Sequence, residues 1–235
     1  MKDVNSELDR QIEGVALLQD PVRRAVYRFV AGQDEAVSRD QAAEAAGVRR
    51  AAAAFHLDRL VEEGLLDVEW KRLSGRTGPG AGRPSKLYRR SDRELDVSVP
   101  QRQYDIAGHL LAGAIQDAES GPLSVTKALG RRAREYGAGL AAEVRARAGS
   151  KSTKKARRAA TLDVLAEHGY EPSEQKRRVI LRNCPFHALS RDHTELVCGM
   201  NLELMQGMVD GLDDGGIEAR LDPSPGRCCV TLDPA

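Results

Sequence analysis

The stretch SRDQAAEAAGVRRAAAAFHLDRLVEEG, residues 38–64, decides how the first part of the chain folds. Ser38 stands where a helix N-cap is expected, and Gln41, three residues on, completes a capping box. Gly47 ends that helix. A second helix starts at once, over 48–64, with Val48, Ala52, Phe55, Leu57, Leu60 and Val61 as its apolar positions and Gly64 as its stop. Two helices joined by a tight turn containing glycine carry the signature of a helix-turn-helix.

The flanks extend this reading. PVRRAVYRFVA (21–31) places Val22, Val26, Phe29 and Val30 at helical spacing, with Asp20 as cap and Pro21 at the first helical position. LLDVEWKRL (65–73) alternates as a strand does. SGRTGPGAGRPS (74–85), with four glycines and two prolines, reads as a loop, and SKLYRRS (85–91) as a returning strand. A strand, a glycine-rich loop and a second strand after the helix pair make a winged helix. Lys71 to Arg90 holds seven Lys and Arg and no Asp or Glu, the electrostatic footprint of phosphate binding.

In such a domain the start of the second helix enters the major groove of double-stranded DNA. Arg49 and Arg50 are placed to reach bases or phosphates, since Arg reads guanine through its bidentate fork. Ala51 to Ala54 permit close approach and contact with thymine methyls. His56 is read either as a phosphate contact or as a packing residue. Arg59 suits a backbone contact, and Arg76, Arg83 and Lys86 in the wing suit phosphates or an adjacent minor groove. Leu57, Leu60, Val61, Leu65 and Leu66 are core.

AAAAFHLDRLVEEGLL (51–66) and GAGRPSKLY (80–88) together resemble the winged-helix bacterial repressors of the arsenic-repressor superfamily. Within it they are similar to the branch containing the repressor of the iron–sulfur-cluster (SUF) biogenesis operon. The resemblance covers the first 95 residues and continues more weakly into the C-terminal part, where that branch places cluster-ligating cysteines.

Composition bounds the rest. The chain has 235 residues, 30% of them charged, a net charge of +1 and few aromatics, as expected of a helix-rich protein of one or two domains. The start, MKDVNSELDRQIEGV, is polar and acidic, unlike a signal peptide. No apolar run approaches the ~20 residues of a membrane span. The expected compartment is the cytoplasm, where cysteines are reduced, catalytic or metal-bound rather than in structural disulfides. QRQYDIAGHLLAGAIQDA (101–118) carries a helical apolar stripe that includes His109, read as a core histidine. A second helix is expected over 123–148, despite Gly130, Gly137 and Gly139. These helices are expected to pair subunits in a homodimer, because a two-fold axis matches two DNA half-sites. RARAGSKSTKKARR (145–158) holds seven basic residues and no acidic one and reads as a solvated linker.

The C-terminal segment poses a chemical question in NCPFHALSRDHTELVC (183–198) and GRCCV (226–230). The pattern suggests a helix over 161–170, a strand over 176–183, a helix over 193–212 capped by Asp192, and two strands over 216–233. Cys184 then lies at a strand end with His187 in the following loop, and Cys198 in the second turn of a helix. Cys228 shares a core-facing strand side with Val230 and Leu232, and Cys229 points the other way. Cys184, Cys198 and Cys228 can converge, with His187, Cys229 or an exogenous group as fourth ligand. His193 stands about 140° around the helix and ~7.5 Å along it from Cys198, too far to share one ion with it. Spacing alone leaves three readings open: an iron–sulfur cluster, zinc, or thiols that switch by oxidation or fill a core. The resemblance favours the cluster. No HExxH, GxSxG or P-loop marks an enzyme.

The expectation is therefore an α+β, mostly helical chain: a winged helix-turn-helix at 1–95, a helical dimerisation region at 96–150, and a small α/β sensor domain at 151–235. Its expected role is a transcriptional regulator whose operator affinity is set by the C-terminal cysteines.

Overall fold

The computed structural model describes residues 4–72, 84–212 and 217–234. The fold is mostly helical α+β. It divides into two compact units, Met1–Val97 and Ser98–Ala235. The helices expected to form a separate linker therefore lie in the same unit as the cysteines.

In the first unit, α1 (Val4–Leu17) precedes α2 (Pro21–Ala31), β1 (Val37–Ser38), α3 (Arg39–Ala46), α4 (Arg50–Glu62), β2 (Leu66–Lys71) and β3 (Ser85–Arg90). The caps are those the sequence suggests. Asp20 accepts from the Arg23 N–H at 2.9 Å. Ser38 and Gln41 form a reciprocal capping box, and Gly47 closes α3 in the left-handed region at φ 64°. Three antiparallel strands run in the order β1-β3-β2, with Tyr88 opposite both Val37 and Val68. Val26, Val30, Leu57, Leu60, Leu66 and Tyr88 form the core. Each fully buried leucine there contributes about 1.5–3 kcal/mol. The helix α1 was not anticipated: its sequence is polar, and it buries only Leu17 and Gly14 among its described side chains.

The second unit comprises α5 (Tyr104–Ser120), α6 (Val125–Ala148), α7 (Lys154–Glu167), β4 (Pro172–Gln175), β5 (Arg178–Leu181), α8 (His187–Asp192), α9 (Thr194–Leu212), β6 (Ile217–Leu221) and β7 (Val230–Pro234). Its antiparallel sheet has the order β4-β5-β7-β6. The basic stretch 145–158 is not a linker. It ends α6 and begins α7, which Thr153 caps by accepting from the Ala156 N–H at 3.2 Å. Two of its charges are matched locally: Arg147 pairs with Glu167 at 2.7 Å, and Arg158 pairs with Glu174. Asp192 closes α8 rather than capping α9. His109 is exposed, not core.

The packing of α6 on α9 rests on two glycines. A Cβ on Gly137 would lie 2.8 Å from Met208 N and closer still to the Leu204 carbonyl oxygen; one on Gly207 would lie 2.8 Å from the Arg134 carbonyl carbon. Both glycines are buried, so the two backbones approach as closely as their atoms allow. Among the described residues, no helix is long and apolar enough to cross a membrane.

Candidate nucleic-acid interface and thiol site

The helix α4 turns Ala53, His56, Leu57 and Leu60 inward. Its other side carries Arg49, Arg50, Ala51, Phe55 and Arg59, all exposed, with Ala54 half-buried. Arg49 is the N-cap and its side chain makes no cap hydrogen bond. Arg50 Nε meets Asp40 Oδ1 at 2.6 Å. That pair is exposed on both sides and contributes no more than about 1 kcal/mol, so a phosphate or base can displace it. Arg59 pairs along the helix with Glu62 at 3.1 Å and Glu63 at 2.9 Å.

The structure places His56 inside. It is buried, and its Nδ1 accepts from Arg23 Nε at 3.4 Å, so it supports the helix rather than reaching a phosphate. Phe55, one of the apolar positions of the helical pattern, is 63% exposed. Arg76 and Arg83 lie outside the described residues. Lys86 is drawn inward: its Nζ meets Asp58 Oδ1 at 2.5 Å and lies 5.0 Å from the centre of the Tyr88 ring.

That lysine belongs to a network that joins the helix pair to the wing. The Tyr88 hydroxyl donates to Asp58 Oδ1 at 2.8 Å and accepts from Arg39 Nε at 2.9 Å. Burial pushes the Asp58 carboxyl up, but hydrogen bonds from Lys86 and Tyr88 outweigh it and hold the group below the usual carboxylate range. One carboxylate on α4 thus fixes β3 and, through Arg39, the start of α3.

In the second unit each of the four cysteines interacts with at least one other. Cys184 follows β5, Cys198 lies in the second turn of α9, and Cys228 and Cys229 immediately precede β7. Cys184, Cys198 and Cys228 are buried and Cys229 is half-buried; all are free thiols. Their interactions run from Cys184 to Cys228, from Cys228 to Cys229, and from Cys229 to Cys198. The neighbouring Cys228 thiol and then burial push Cys184 far above the ordinary thiol value. Cys184 pulls Cys228 down, yet the Cys229 thiol and burial prevail and push it up to about 11. Burial likewise raises Cys198. Without a cation, these groups stay protonated.

Four thiols from three segments are the donor type that thiolate-bound groups use, and one of them already receives a hydrogen bond. Asn201 Nδ2 donates to Cys228 Sγ at 3.2 Å, and Asn201 Oδ1 accepts from the Tyr170 hydroxyl at 2.7 Å. Among the described residues, no group of three or more His, Cys, Asp or Glu side chains stands ready to hold a single metal ion. His187 opens α8 with its side chain exposed, and its backbone N–H donates to the Cys184 carbonyl at 3.1 Å. His193 is also exposed.

The loop bearing Cys184 is pinned by residues the sequence did not single out. Arg102 Nη1 donates to the Cys184 carbonyl at 2.8 Å and to Asn183 Oδ1 at 2.6 Å. The buried Asn183 donates in turn to the carbonyls of Gln101 and Gly169, at 3.0 and 2.5 Å. A polar Asn201 inside the apolar run of α9 was the readable signal for the hydrogen bond to sulfur; nothing marked Arg102.

Residues 17–69 match the family of the helix-turn-helix domain. The first unit is a DNA-binding module. The match spans α2 to most of β2, including the capping box and the whole of α4, and it points to a transcriptional regulator rather than an enzyme. No curated protein matches the chain, and no solved structure does.

Proposed function

We propose that the chain is a homodimeric transcriptional regulator whose affinity for a double-stranded operator is set by an iron–sulfur cluster held by Cys184, Cys198, Cys228 and Cys229. What supports this reading is the pairwise linking of the buried Cys184, Cys198 and Cys228 and the half-buried Cys229, each interacting with at least one other. The resemblance of 51–66 and 80–88 to the SUF-operon repressors of the arsenic-repressor superfamily supports the choice of a cluster over zinc. When bound, the cluster supplies one-electron redox chemistry and lability toward oxidants.

The chain's own residues do the rest. Arg49 and Arg50 contact the duplex at the start of α4, and the Asp58 network keeps that helix and the wing in one orientation. Asn201, oriented by Tyr170, directs an N–H at the Cys228 sulfur. Arg102 and Asn183 hold the Cys184 loop. Two copies related by a two-fold axis read two half-sites.

The test is anaerobic purification followed by a visible spectrum and iron, sulfide and zinc analysis. Visible charge-transfer absorbance with matching iron and sulfide, lost in Cys184→Ser, Cys198→Ser and Cys228→Ser, is the expected result. About one zinc per chain in a colourless protein replaces the cluster with an ion site. A colourless, metal-free protein leaves a thiol switch. Operator titration of the loaded and stripped forms then tests control; equal affinities refute it.

A further inference from the structure

The outer side of α4 in the helix-turn-helix carries an exposed aromatic ring. Phe55 is 63% exposed on α4. It occupies one helical row with Ala51 and Arg59, four residues to either side, opposite the buried row of Ala53, Leu57 and Leu60. It packs edge-on against the His56 ring at 5.4 Å, and His56 in turn accepts from Arg23. The outer side of α4 carries an apolar patch, Ala51, Ala54 and Phe55, bordered by Arg49, by Arg50 in its exposed pair with Asp40, and by Arg59 in its pairs with Glu62 and Glu63.

A cationic rim suits a polyanion, and an apolar centre suits a base edge without charge. In the major groove the apolar feature of a base edge is the thymine methyl group, which Ala and Phe side chains contact. We propose that Phe55, with Ala51 and Ala54, reads a thymine methyl and is a specificity-determining residue. This rests on the DNA-binding assignment of the first unit, within which α4 is the second helix of the matched helix-turn-helix. The inward positions of α4 are taken by Ala53, His56, Leu57 and Leu60, which leaves Phe55 on the outer side.

The probe is the duplex that the full-length protein itself enriches from a random library. Each thymine in it is replaced singly by deoxyuridine, which removes only the methyl group. Wild-type protein is expected to lose about fourfold in affinity at one thymine or more, the value of one buried carbon. Phe55→Ala should bind the parent duplex more weakly and be indifferent to deoxyuridine at those thymines, while Phe55→Leu retains part of the sensitivity. The exposed position makes both variants compatible with folding, which circular dichroism checks. Wild-type indifference to every thymine methyl overturns the proposal, as does an unchanged pattern in Phe55→Ala. Loss of self-association in Phe55→Ala with the methyl pattern intact overturns it in favour of a subunit contact. Failure to retain any duplex removes the DNA-binding assignment itself, a different result from retention without methyl dependence.

Discussion

Replacing Gly137 with alanine tests how the second unit is held together. The added Cβ would lie 2.8 Å from Met208 N and 2.9 Å from the Leu204 carbonyl carbon, against about 3.5 Å for an ordinary contact. The obstacle is backbone, so no rotamer change relieves it, and the Leu204 carbonyl oxygen, closer than either of these atoms, sets a parting of α6 and α9 larger than roughly 0.7 Å. Overpacking of this kind costs about 1–3 kcal/mol, and a rigid obstacle places it at the upper end. Alanine returns about 0.5–1 kcal/mol by restricting the unfolded chain and favouring helix. The net loss is about 2 kcal/mol, or roughly 4–8 °C in thermal midpoint. Gly139, two residues along the same helix, would place its Cβ in open space. Gly139→Ala should raise stability by up to about 1 kcal/mol, or roughly 2–4 °C in midpoint. Thermal unfolding by far-ultraviolet circular dichroism measures both. Trp70, the single tryptophan, lies in the first unit and provides a fluorescence reference there. A Gly137→Ala midpoint at or above wild type refutes the close-packing account.

The remaining expectations concern charge. Asp58 has a depressed folded pKa, so its contribution is complete above the unfolded value near ~3.9 and is lost as pH falls through the lower folded value. Trp70-monitored urea midpoints should therefore fall more steeply below about pH 4 in wild type than in Asp58→Asn, by under about 1 kcal/mol because the group is partly exposed; equal slopes refute this. Arg50→Ala should cost about 1–3 kcal/mol on an enriched duplex and less on random DNA, measured by gel-shift titration. For the proposed cluster, Asn201→Leu, which removes the hydrogen bond to Cys228 Sγ, should lower the midpoint potential by on the order of 40 mV in a redox titration; an unchanged potential separates Asn201 from the sulfur's chemistry.

The legible parts of the fold were those set by local chemistry. The capping box at Ser38 and Gln41, the cap at Asp20 and the stop at Gly47 depend on residues within a few positions, and the structure contains all of them. Failures came where distant partners decide. Phe55 fits an apolar repeat, but the inward face of α4 is completed by His56, whose ring finds a donor in Arg23 from another helix. The glycines of α6 weaken a helix taken alone; their value lies in how closely α9 approaches. The strand β7 was expected to alternate between core and solvent. It is central in its sheet and buried on both faces, because Arg178 covers its polar side through Asp233 and Thr231, at 2.5 and 3.3 Å. The cysteines were readable as a group. Which of them interact depends on how a loop, a helix and a sheet meet.

The proposed control of DNA by the thiol site has a reciprocal that can be measured without knowing any regulated gene. A cofactor changes operator affinity only by binding one state of the protein more tightly than the other. If loading changes operator affinity tenfold, about 1.4 kcal/mol, operator must change cofactor affinity by the same factor and in the same direction. Stripping of the anaerobic, loaded protein by a chelator, followed to equilibrium by its visible absorbance, should therefore shift when saturating operator duplex is added. A scrambled duplex should shift it less. A chelation equilibrium indifferent to operator, in a protein whose loaded and stripped forms bind that operator differently, violates linkage and would mean that stripping damages the fold rather than switching it. Arg50→Ala provides the needed contrast, since it weakens the operator contact while leaving the four thiols of the second unit untouched.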